Sequence, residues 1–175
     1  MSKVFAALKK VILFFELLIV IVAYNWDKLL FIGIVSADQF VKAIITASMV
    51  PGESIPILKH VFHLTYVLNP GAAFGILPNQ RLFFISAGVL ILVLAMLIYS
   101  RIKRSDTMMR LGMISMISGA AANLIDRFQN GLVVDFLDFR IWPVFNIADI
   151  AIVFGTCFML YSLTFKLGET KSAQE

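Results

Sequence analysis

Residues 82–100 read LFFISAGVLILVLAMLIYS, a stretch without a charged side chain that is closed by Arg101, Lys103 and Arg104. A helix of roughly 20 apolar residues crosses a hydrocarbon layer about 30 Å thick, because it satisfies its own backbone hydrogen bonds where no water can. That reading sets the fold class as an all-α membrane protein. The whole chain agrees, since 60% of its 175 residues are hydrophobic and 15% are charged, a balance that an ordinary soluble domain could not bury.

Working outward, residues 107–125 carry Arg110 as their only charge, and Gly112, Ser115, Gly119 and Ala122 recur along one side at helical spacing. Small residues in that pattern let two helix backbones approach closely in a membrane. Pro143 introduces residues 144–165, whose only charge is Asp149 and which Lys166 follows. Nearer the start, residues 29–50 carry Asp38 and Lys42 and stop at Pro51 and Gly52, the residues that end helices. Four spans are therefore expected, in one membrane-embedded domain over residues 26–166, with a cytoplasmic tail at 167–175.

Residues 1–25 are expected to form a membrane-associated lead-in, either interfacial or an extra helix. The apolar run at 11–24 is too short to cross alone, is interrupted by Glu16 and follows Lys9 and Lys10. Charge followed by apolar residues resembles a signal peptide, but Tyr24, Asn25 and Trp26 do not provide the small residues of a cleavage site, so the segment is expected to be retained. The single cysteine, Cys157, lies in an apolar run, which excludes an intrachain disulfide and suggests a packing role.

The net charge of +4 does not point to nucleic acid, because the basic residues sit at the ends of apolar segments rather than along a polar face. Arg101, Lys103, Arg104 and Arg110 instead place the connection between the second and third spans in the cytoplasm. The longer connections, 51–81 and 126–143, then face outward. Their β-branched and aromatic stretches at 61–68 and 132–136 predict a small extracytoplasmic β-sheet.

Ionisable groups in or beside a span are costly, and each is a functional candidate. Asp38 and Lys42 are four apart and can neutralise one another across one helix face, bracing the bundle. Asp126 and Arg127 are adjacent at a helix end, where a surface pair and a functional role both fit; Asn123 lies on the same side as Asp126. Asp135, in the strand-like VVDFLDF, and Asp149, in the helix start FNIAD, have no cation close in sequence. Two carboxylates sharing a dry site cannot both ionise, so together they can activate a water and donate a proton, as an aspartic protease does. Alternatively Asp149 bridges helices and Asp135 is an exposed loop residue. Asp138, near Arg140, reads as a solvated loop charge and a lesser partner for Asp135.

The segments DQFVK at 38–42, NPGAAFG at 69–75, GAAANLIDR at 119–127, VVDF at 133–136 and FNIAD at 145–149 resemble, in order, the motifs of the lipoprotein signal peptidases, or signal peptidase II. The likeness covers residues 26–165. It implies a bacterial inner-membrane aspartic endopeptidase that cuts diacylglyceryl-modified prolipoproteins just before the lipidated cysteine, at the outer membrane face. It implies Asp135 and Asp149 as the catalytic pair, Asn69, Asn123, Arg127 and Asn146 as substrate-binding or site-supporting residues, and Asp38, Lys42 and Asp126 as structural support. The chain departs from the family pattern in its long lead-in, in Ala122 where glycine commonly precedes the asparagine, and in the short stretch between Asp135 and Asp149.

His60 and His63 offer no third ligand, so neither a metal nor another cofactor is expected. NPGAAFG lacks the lysine and the following Ser or Thr of a phosphate-binding loop and reads as a turn near substrate. The expected partners are the prolipoprotein and membrane lipid, with the enzyme a monomer. An ion-coupled transporter would use the intramembrane carboxylates as a path, although no internal repeat is visible. A noncatalytic assembly subunit would use them only to join helices.

Overall fold

The computed structural model describes residues 2–71 and 80–172. The expected turn beyond Gly71 and residues 173–175 of the expected tail lie outside them. The element order is α1 (Ser2–Ser48), β1 (Ser54–Leu58), β2 (Phe62–Asn69), α2 (Arg81–Arg101), α3 (Thr107–Asn130), β3 (Val133–Asp138) and α4 (Ile147–Ser172). Among the described residues, four helical segments are long and apolar enough to cross a membrane, at Val22–Ser48, Arg81–Arg101, Thr107–Asn130 and Ile147–Phe165.

The lead-in is helical and shares α1 with the first span, interrupted only at Asn25, whose φ of −115° and ψ of 15° break the helical geometry. The third span also runs further than the apolar pattern suggested. Asp106 caps its start by accepting from the Met109 N–H at 3.3 Å, and Gly131 ends it in the left-handed region at φ 76°, a conformation that glycine adopts without a Cβ penalty. Asp126 and Arg127 consequently lie within the last turns of α3.

α3 is the buried centre of the bundle. Its small-residue side faces α4 so closely that a Cβ on Gly112 would stand 2.6 Å from the Gly155 carbonyl oxygen. This contact fixes the rotation of α4, whose Ala148, Ala151, Gly155 and Ser162 are buried. Cys157, two residues beyond Gly155, points away from that face. It is exposed on the outside of a spanning helix, which corrects the expected packing role.

At one end of the bundle Asp27 of α1, Tyr99 of α2 and Arg110 of α3 form a closed cluster. Arg110 Nη2 donates to Asp27 Oδ2 and to the Tyr99 hydroxyl, both at 2.6 Å, and the Tyr99 hydroxyl donates to Asp27 at 2.5 Å. At the other end lies an antiparallel sheet in the order β1-β2-β3. The predicted strands correspond to β2 and β3. β1 escaped the sequence reading because SIPIL carries a proline, which strands admit at an edge.

β3 is covered on both faces. Val134 and Phe136 pack with Ile45, Met49 and Tyr66, and Asp135 necessarily points to the opposite face because strand side chains alternate. The chain then folds back so that Phe145 bridges Leu137, delivering it directly to the start of α4.

Candidate active site

The site is organised around the first turn of α4. Asn146, just before the helix, accepts from the Asp149 backbone N–H through Oδ1 at 2.9 Å, while the Asp149 carboxylate accepts from the Asn146 backbone N–H at 3.2 Å. Each side chain thus satisfies a backbone donor that a helix start leaves unpaired. The same turn receives Asp38 from α1, whose Oδ1 accepts from the Ala148 N–H at 2.9 Å.

Strand register supplies the other carboxylate. Val67 pairs with Asp135 and Asn69 with Val133, which makes Asn69 a same-face diagonal neighbour of Asp135. Asn69 Nδ2 donates to Asp135 Oδ2 at 2.9 Å, and Asn146 Nδ2 donates to Asp135 Oδ1 at 2.7 Å. Asn146 therefore touches both Asp135 and Asp149, and both carboxylates line one cavity of about 510 Å³.

Behind the pair lies a buried charge centre. The Lys42 ammonium contacts Asp38 Oδ2 and Asp126 Oδ2 at 2.7 Å and donates to Asn123 Oδ1 at 2.9 Å. Three partners use the three N–H donors of an ammonium. With its oxygen committed to Lys42 and to Asn146 Nδ2 at 3.0 Å, Asn123 directs its own Nδ2 to Asp149 Oδ1 at 2.8 Å. Asp126 also accepts from the Val134 N–H at 3.2 Å, tying α3 to β3. The buried Asp126 is paired with Lys42 rather than placed on a surface.

Arg127 turns the other way. It donates to the Asn123 carbonyl at 3.4 Å and the Gly71 carbonyl at 3.1 Å, with its guanidinium 5.2 Å from the Phe84 ring centre. Asn69 Oδ1 holds the Gly71 N–H at 3.0 Å, so the turn after β2 is gripped from both sides. The cavity wall includes Asn69, Asn123 and Arg127, together with Trp142, Phe145, Ile152 and Val153.

Burial pushes the Asp135 carboxyl up to about 7; the Asp149 charge adds to this, while hydrogen bonds from Asn69 and Asn146 oppose it. Asp138 behaves in the opposite way. It is buried at the end of β3, not solvated in a loop, because Thr65 donates to it at 2.7 Å and Arg140 pairs with it at 2.9 Å. Burial raises its pKa, but these hydrogen bonds and the Arg140 charge outweigh that effect and hold it below the usual carboxylate range.

Sequence reading missed Gln39 and Asp27. Gln39 Nε2 donates to Asp126 Oδ1 at 2.8 Å and to the Ala122 carbonyl at 3.2 Å, and its only signal was its place between Asp38 and Lys42 in a polar patch of a span. Asp27 falls two residues before the span expected to begin at residue 29, and so outside the intramembrane charges.

Comparison with known proteins gives a consistent pattern. Residues 30–165 match the model of the family described as signal peptidase (SPase) II. The lipoprotein signal peptidase of Moorella thermoacetica is 45% identical over 141 residues, covering 81% of this chain and 94% of that protein. Its counterpart in Halothermothrix orenii is 49% identical over 130 residues, covering 74% and 89%. A bacterial membrane enzyme solved by the in meso method at 2.3 Å resolution superposes with a TM-score of 0.79 at 30% identity, over 83% of this chain and 91% of its own.

Proposed function

The chain belongs to the signal peptidase II family and removes signal peptides from prolipoproteins, and we propose that it does so as an aspartic endopeptidase in which Asp135 and Asp149 share one water. It is a multi-pass bacterial membrane protein. The observation that carries the mechanism is the pair of carboxylates lining one cavity and joined through Asn146.

In this reaction the ionised carboxylate takes a proton from the water as the water oxygen attacks the scissile carbonyl carbon. The protonated carboxyl gives its proton to the carbonyl oxygen. Collapse of the adduct breaks the C–N bond, and a proton passes to the leaving amine. Asn69, Asn123 and Asn146 orient the carboxylates, while Arg127 lines the cavity as a donor to substrate carbonyls. Asp38, Lys42 and Asp126 hold the helix ends behind them.

The substrate is a prolipoprotein carrying a diacylglyceryl group, cut before the modified cysteine. Val153 supports lateral entry, since it lines the cavity and is also exposed on the outside of α4. The basic residues at the α2–α3 turn support an orientation with that turn in the cytoplasm and the cavity at the outer face of the inner membrane.

The test compares purified enzyme on a lipidated prolipoprotein and on the same substrate without the lipid, with and without a chelator. Cleavage of the lipidated form alone, unaffected by chelation, is expected. Equal cleavage of both forms would remove the lipid requirement, and inhibition reversed by added zinc would replace the aspartic mechanism.

A further inference from the structure

We propose that residues 2–24 form an interfacial helix lying on an anionic bilayer surface at the α2–α3 end of the bundle, opposite the carboxylate pair. Asp27 marks where the span begins, because it is tied to Tyr99 near the end of α2 and to Arg110 near the start of α3. From Asp27 to Ser48 the helix rises about 32 Å, which already crosses a hydrocarbon core of about 30 Å. Residues 2–24 add about 33 Å beyond that boundary.

If they continued straight they would carry exposed Ile12, Phe14, Phe15, Leu17 and Ile19 into water, at about 25 cal/mol for each Å² of apolar surface. A fifth span would instead require the chain to reverse. Antiparallel helices need a loop of about 2–5 residues, and α1 has one non-helical residue, Asn25. A bend there, rather than a reversal, is what the backbone provides. The Lys28 ammonium donates to Asn25 Oδ1 at 3.1 Å, and Arg104 of the α2–α3 turn lies 4.1 Å from the Tyr24 ring centre, so the helix leaves the bundle at the level of the basic turn.

The lead-in also has the periodicity of a surface helix. Val4, Leu8, Val11, Phe15, Leu18 and Val22 recur every three or four residues, while Lys3, Lys9, Lys10 and Glu16 fall on the opposite arc. Such a stripe would also suit a seam with a second copy. Lipid is favoured because exposed Phe14 and Ile19 flank the stripe and widen it beyond a narrow seam. In addition, Lys9, Lys10, Arg101, Lys103 and Arg104 would repel their equivalents in another copy while attracting anionic headgroups.

The test uses the full chain with Cys157→Ser and single cysteines introduced at Leu13, Phe15, Leu18 or Val22, spin-labelled in nanodiscs. Accessibility to oxygen and to a water-soluble nickel chelate reads immersion depth. In phosphatidylglycerol-containing discs, Phe15, Leu18 and Val22 labels should sit at one shallow depth with the Leu13 label nearer water. That immersion should be lost in phosphatidylcholine alone or with Lys9→Glu and Lys10→Glu together. Depth increasing steadily to the bilayer centre, water access throughout, or short label-to-label distances between copies would overturn the proposal. Immersion independent of anionic lipid would overturn its headgroup component.

Discussion

Asn146 and Asp149 hold one another reciprocally, side chain to backbone in both directions, at 2.9 and 3.2 Å. The contact that starts α4 is therefore the contact that aims a carboxylate into the cavity. Asn146→Ser should keep most of the cap while losing the donor to Asp135 and Asn123. Asn146→Ala should lose both, with a stability cost of about 0.5–2 kcal/mol. Melting temperature and kcat, measured together, check this: the serine variant should melt near the parent yet turn over slowly. A serine variant with parental kcat would show that the bridge to Asp135 is dispensable.

Replacing either carboxylate by its amide should abolish cleavage. Asp135→Asn and Asp149→Asn should each lower the rate by at least about 100-fold, the lower end of what a positioned acid or base contributes, while the protein still inserts and folds. Cleavage of a lipidated prolipoprotein is the measurement. Normal turnover by either variant would exclude the shared-water mechanism.

The pKa of Asp135, raised from 3.8 to about 7, gives a signed prediction. A raised value means that the folded state holds the proton more tightly than the unfolded one. The contribution to stability is therefore full below about 4 and declines as pH rises to about 7, where it levels off. Asp135→Asn removes the ionisation, so its melting temperature relative to the parent should be higher at pH 8 than at pH 4. The parent's cleavage rate should fall as pH rises past 7, because the acid member has lost its proton. An unchanged difference in melting temperature between the two pH values would contradict the assignment.

Lys42 holds two buried carboxylates, Asp38 and Asp126. Lys42→Met leaves both uncompensated and should cost about 3–5 kcal/mol. Adding Asp126→Asn should recover part of that loss, which a double-mutant cycle on unfolding can read. Additive losses with no recovery would mean that the ammonium does not couple to Asp126.

Close approach of α3 and α4 predicts a contrast between two glycines. A Cβ at Gly119 would collide with the Ala148 carbonyl and stand 2.8 Å from Ile152 Cγ1, whereas one at Gly33 meets nothing within 4 Å. Gly119→Ala should lower both melting temperature and kcat by displacing the α4 turn that carries Asp149. Gly33→Ala should raise stability by about 0.5–1 kcal/mol through helix propensity alone. Equal behaviour of the two variants would remove α3–α4 spacing as a determinant of the site.

The sequence alone determined what depends on local composition and period. Residues 82–100 declared a membrane helix because nothing else hides so long an uncharged run, and Gly112, Ser115 and Gly119 declared a helix contact because their spacing matches the helical turn. The apolar strand-like run VVDFLDF marked Asp135 as a carboxylate with no cation close in sequence. The ordered motifs carried the family and its candidate residues. Local pattern could not report what depends on pairing between distant segments. Only the tertiary structure put Lys42 between Asp38, Asp126 and Asn123, buried Asp138 beneath Thr65 and Arg140, and turned Cys157 outward once Gly112 had locked against Gly155. Those outcomes are set by helix rotation and strand register, which place residues far apart in the chain within hydrogen-bonding distance.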